Sequence, residues 1–128
     1  METKIAIEKI VSAMNEMREK ENINPKIYIG KTTDFNFSKE RHEEDGYPIL
    51  LRVAIGTPEQ IADLEAELIE RFKNDKTWTI DNENGGSAGN TEANQIYICL
   101  DSTSPSDELC EWDEKLFLGS DFPLDLSK

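Results

Sequence analysis

Three groups of residues in this chain have types and an order that could do chemistry. They are Tyr28 within Lys26-Ile27-Tyr28-Ile29-Gly30-Lys31-Thr32, the pair Arg41-His42, and Glu65 within Leu64-Glu65-Ala66-Glu67-Leu68-Ile69. A tyrosine on a short strand, an arginine about one short helix later and a carboxylate on the apolar side of a helix are the parts of a phosphodiester-cleaving site. Each also has an ordinary structural explanation. Tyrosine is common in strands and usually packs. Arg41 alone reads as a surface residue, and His42 is a lone histidine with no Cys or His neighbour.

Glu65 stands out on helical geometry alone. Thr57-Pro58-Glu59-Gln60 is a strong helix start: Thr57 can cap, Pro58 suits the first helical position and Gln60 completes a capping box. The helix should run to about Lys73. At about 100° per residue it gathers Ile61, Leu64, Leu68, Ile69 and Phe72 on one face, with Glu65 inside that face and Asp63, Glu67 and Glu70 opposite. A carboxylate on a buried stripe is costly unless it is paired or binds a metal. The simpler alternative is a Glu at the stripe's edge that reaches solvent or an arginine.

The elements that must position these residues read as α/β. Residues 5–20 form an amphipathic helix, with Ile7, Ile10, Val11, Met14 and Met17 at helical spacing, and Asn22 to Pro25 ends it. Lys26 to Lys31 is a strand with Ile27 and Ile29 on one face and Tyr28 on the other. Pro48 to Ile55 is a second, apolar strand, Thr77 to Ile80 a short one, and Gln95 to Leu100 a further one. A polar stretch, 32–46, holds a possible helical turn around Phe37 to Glu44. Asp81 to Asn94 is a Gly- and Asn-rich loop in which Asn82 and Asn84 are most simply turn residues. The expected architecture is a small, mostly antiparallel sheet of three to four strands flanked by helices.

Length and charge bound the rest. A chain of 128 residues carries one modest core. Residues 1–100 are expected as a single domain and residues 101–128 as an acidic accessory segment, with one or two helical turns over 106–115. No apolar run approaches the ~20 residues that span a membrane, and the first residues do not read as a signal peptide. Cys99 and Cys110 lack metal-binding spacing and read as thiols in a reducing cytoplasm. Net charge is −13, and its distribution is uneven: residues 1–57 balance to −1 and residues 58–128 to −12. Phosphate contacts dominate nucleic-acid affinity, so only the first half, around Lys26, Lys31, Lys39, Arg41 and Arg52, could grip nucleic acid. The second half would repel nucleic acid or imitate it.

The order of these motifs resembles the GIY-YIG nuclease superfamily over about residues 26–90. Tyr28-Ile29-Gly30 is similar to the second signature strand and Lys31-Thr32-Thr33-Asp34 to its continuation. Arg41-His42 resembles the catalytic Arg region, Glu65-Ala66-Glu67-Leu68-Ile69 places Glu65 at the matching carboxylate, and Asn82 or Asn84 follows. The family's first signature strand has no counterpart before Tyr28, where Met14 to Glu21 reads as helix. The strand from Gln95 to Leu100 could sit beside Tyr28 instead and supply Tyr97 as a second tyrosine.

The resemblance implies a metal-dependent phosphodiesterase acting on nucleic acid. Glu65 would hold one Mg²⁺, Arg41 would neutralise transition-state charge, and Tyr28, aided by Lys31, would orient or deprotonate water, with His42 nearby. The charge distribution implies a different class: a non-catalytic acidic inhibitor or interaction protein that binds a basic protein partner.

Overall fold

The computed structural model describes residues 1–20, 23–33, 49–75, 77–80, 92–102, 115 and 118–127. Helix α1 (Thr3–Lys20) leads into β1 (Ile23–Thr32). Strand β2 (Ile49–Ile55) is followed by helix α2 (Pro58–Asn74), then β3 (Thr79–Ile80), β4 (Gln95–Ser102) and β5 (Leu124–Asp125). The α/β class holds. The sheet, however, has five strands and is mixed, in the order β3-β1-β4-β2-β5, not the small, mostly antiparallel sheet of three to four expected. Its antiparallel centre is β1-β4-β2; β3 pairs with β1 and β5 with β2 in parallel at the two edges. Each edge strand has two residues, too few to show an alternating pattern in sequence.

Both helices pack on one face of the sheet. From α1, Ala6, Ile10, Met14 and Met17 are buried, and from α2, Ile61, Leu64, Leu68, Ile69 and Phe72. They meet Ile27 and Ile29 of β1, Leu51 and Val53 of β2, and Ile96, Ile98 and Leu100 of β4 in one core. The start of α2 forms as its sequence requires. Gln60 N donates to Thr57 Oγ1 at 3.2 Å and Thr57 N donates to Gln60 Oε1 at 3.0 Å, so both members of the capping box are made.

The chain beyond α2 is fastened to α1 through Trp78. Its indole Nε1 donates to Asn15 Oδ1 at 2.9 Å, Phe72 meets the ring edge-on at 6.1 Å, and Arg18 lies 5.2 Å from the ring centroid.

Residues 118–127 belong to this core. Leu118, Phe122, Leu124 and Leu126 are buried in it. Leu126 N donates to Ile55 O at 2.9 Å, and its carbonyl accepts from Gln60 Nε2 at 3.0 Å. The expected boundary at residue 100 also falls inside β4. The helical turns expected over 37–44 and 106–115 lie outside the described residues, apart from Lys115, which is helical. Among the described residues, no helix is long and apolar enough to cross a membrane.

Candidate functional site

Glu65 is buried, with 3% of its surface exposed, in the middle of the apolar face of α2. Lys31 lies two residues beyond Ile29 on β1, so strand alternation sends it to the same helix-covered face. Its Nζ stands 3.8 Å from Glu65 Oε1, beyond hydrogen-bonding reach, and both side chains are almost entirely sequestered. Among the described residues, Glu65 Oε1 has no hydrogen-bond partner. Burial pushes the Glu65 carboxyl up to about 7, against the opposing pull of the Lys31 ammonium. Near neutral pH this carboxyl is therefore divided between its charged and neutral forms.

Tyr28 faces the other way. It packs with Leu50, Tyr97 and Cys99 in a second, smaller cluster on the opposite side of the sheet. The register explains the grouping: Tyr28 is opposite Cys99, Cys99 opposite Leu50, and Gly30 opposite Tyr97. The strand Gln95–Leu100 does lie beside Tyr28, and it brings Tyr97 to the same face. Gly30 has a packing reason to be glycine, because a Cβ there would overlap the Tyr97 hydroxyl and ring. The structure thus brings Lys31 and Glu65 together, and Tyr28 and Tyr97 together, with the sheet between the two pairs. Arg41, His42, Asn82 and Asn84 lie outside the described residues.

No family model, no curated protein and no solved structure matches this chain.

The residues around Glu65 fit a magnesium ion poorly. Magnesium takes carboxylate oxygen but keeps several waters in near-octahedral geometry, whereas this carboxylate is sealed from solvent and already faces an ammonium. Lys31 is the charged group among the described residues that acts on it. Among the described residues, no group of three or more His, Cys, Asp or Glu side chains is placed to hold a metal.

The outer face of α2 has a different character. Glu59, Asp63, Glu67 and Glu70 are all exposed and recur at helical spacing, so they project in one narrow sector about opposite Glu65. None of the four makes an ion pair with the described residues. The helix's basic residues, Arg71 and Lys73, sit in its last turn, and Arg71 is engaged by Glu8 of α1. Like charges four residues apart weaken a helix by about 0.2–0.5 kcal/mol per pair. The row is therefore held against its own repulsion, by the burial of the opposite face. Sequence reasoning placed Asp63, Glu67 and Glu70 outward and passed over Glu59, whose spacing to Asp63 was the available signal.

Proposed function

We propose that this chain is a non-catalytic acidic interaction protein that binds a basic partner across the outer face of α2. The observation that carries the reading is the exposed row Glu59, Asp63, Glu67 and Glu70, without neutralising partners among the described residues, on a chain of net charge −13. Such a row steers a cationic partner and fixes its register along the helix. Titration calorimetry with a defined oligolysine peptide tests it at two salt concentrations. Neutralising the row (Glu59→Gln, Asp63→Asn, Glu67→Gln, Glu70→Gln) should weaken binding far more, charge for charge, than neutralising exposed acids elsewhere (Glu2, Glu19 and Glu92). Equal losses per charge from both sets would reduce the effect to net charge and sink the reading.

A second reading, a GIY-YIG-like metal-dependent phosphodiesterase, draws support from the buried Lys31–Glu65 pair and from Tyr97 lying on the same face as Tyr28. The separation of Tyr28 from Glu65 by the sheet counts against it. Plasmid or RNA nicking with Mg²⁺ or Mn²⁺ that is abolished by Glu65→Gln would establish this reading. Absence of cleavage, or cleavage unaffected by Glu65→Gln, would remove it.

A further inference from the structure

We propose that the basic partner also inserts an apolar side chain along the outer face of α1, in the groove between that helix and the C-terminal turn. This rests on the reading of the chain as a module that binds a basic protein, and adds where and how a second contact is made. The groove has a volume of about 350 Å³ and an apolar floor of Ala13, Leu118 and Phe122. Lys9, Ser12 and Glu16 form its helical wall.

Ile5 continues that wall. It precedes Lys9 by four residues, Ser12 by seven and Glu16 by eleven, so all four occupy one stripe of α1. Ile5 is 47% exposed, the most exposed of the large apolar side chains described, and Met1, just ahead of the helix, is 38% exposed. Two exposed apolar side chains therefore stand at the head of a polar stripe that leads into a groove with an apolar floor.

The charge around the groove selects the sign of the occupant. Glu8, Glu16 and Asp121 line it against a single Lys9. Glu8 is taken up by Arg71, and Glu16 and Asp121 make no ion pair with the described residues. A segment bearing Lys or Arg, with apolar side chains about two helical turns apart, complements both features. A helix laid along α1 supplies that spacing.

Two synthetic peptides of equal charge test the proposal, one an amphipathic Lys/Leu helix and the other a Lys/Gly chain. Each is titrated into the full chain, into Ile5→Ser, into Ser12→Arg, and into the chain with the α2 row neutralised. Both α1 substitutions are at exposed positions, and circular dichroism checks that the fold is kept. The expected result is that the Lys/Leu peptide binds the unaltered chain about tenfold more tightly than the Lys/Gly peptide. Ile5→Ser and Ser12→Arg should each remove most of that advantage, while neutralising α2 weakens both peptides alike. Equal affinity for the two peptides, with dependence on the α2 row intact, would overturn this contact and leave the module reading standing. An advantage that survives both α1 substitutions would overturn it too. Binding of neither peptide would overturn both.

Discussion

Replacing Glu65 with Gln should change how stability depends on pH, in a direction fixed by the burial of this carboxyl. Its pKa rises from 4.5 to about 7 on folding, with burial as the leading cause and Lys31 opposing. A group whose folded pKa is raised prefers its neutral form in the folded state. Its contribution is complete below pH 4.5 and is lost as pH climbs toward and past 7. At roughly 1.4 kcal/mol per pH unit, that loss amounts to about 3 kcal/mol. Gln keeps the shape and does not titrate, so groups common to both proteins cancel in the comparison. Urea unfolding of the two proteins from pH 4 to pH 8.5 should show Glu65→Gln gaining about 3 kcal/mol relative to the unaltered chain. Most of that gain should fall between pH 5 and pH 7.5, bounded by the two pKa values. A difference that stays constant over that range would refute the burial argument. A difference that grows toward low pH would show instead that Lys31 outweighs desolvation.

Four further outcomes follow from the structure. Gly30→Ala should destabilise by about 1–3 kcal/mol, because its Cβ would collide with Tyr97; the cost should shrink in the Tyr97→Ala background, measured as a double-mutant cycle. Thr57→Ala removes the oxygen that accepts from Gln60 N and should cost about 1 kcal/mol in chemical denaturation. Leu124→Ala, at a residue 1% exposed in the edge strand, should cost about 2–5 kcal/mol. By the same reasoning, truncation after Leu100 should abolish cooperative unfolding, as urea denaturation would show.

The helices were legible because their apolar stripes and the Thr57–Gln60 box are local patterns, and both formed as read. Of the long strands, β1 and β4 were legible from alternation and β2 from its apolar run. Of the edge strands, β3 falls within the short strand expected over Thr77 to Ile80, whereas β5 was not legible, since two residues carry no period and its pairing depends on chain far away in sequence. One placement in the candidate site could have been read from the sequence. With Ile27 and Ile29 facing the core, alternation turns Lys31 toward the helices and Tyr28 away from them. A buried Glu65 on the core face of α2 then had to meet Lys31. The resemblance in motif order outweighed that parity argument. The contact of Tyr97 over Gly30 required the register of β4 on β1, which no local pattern supplies.

The position of β4 also bears on how fast the chain can fold. It lies in the middle of the sheet yet is the last long strand among the described residues, joining Ile27 to Leu100 on one side and Leu51 to Ile98 on the other. Until β4 docks, β1 and β2 each present a bare inner edge lined with isoleucine, leucine and valine. Loop closure over such separations is slow relative to helix formation, so this chain should fold more slowly than a helical bundle of equal length. The two waiting edges are then the places where partly folded copies could pair with one another. A late central strand makes the speed of its own arrival the chain's defence against aggregation.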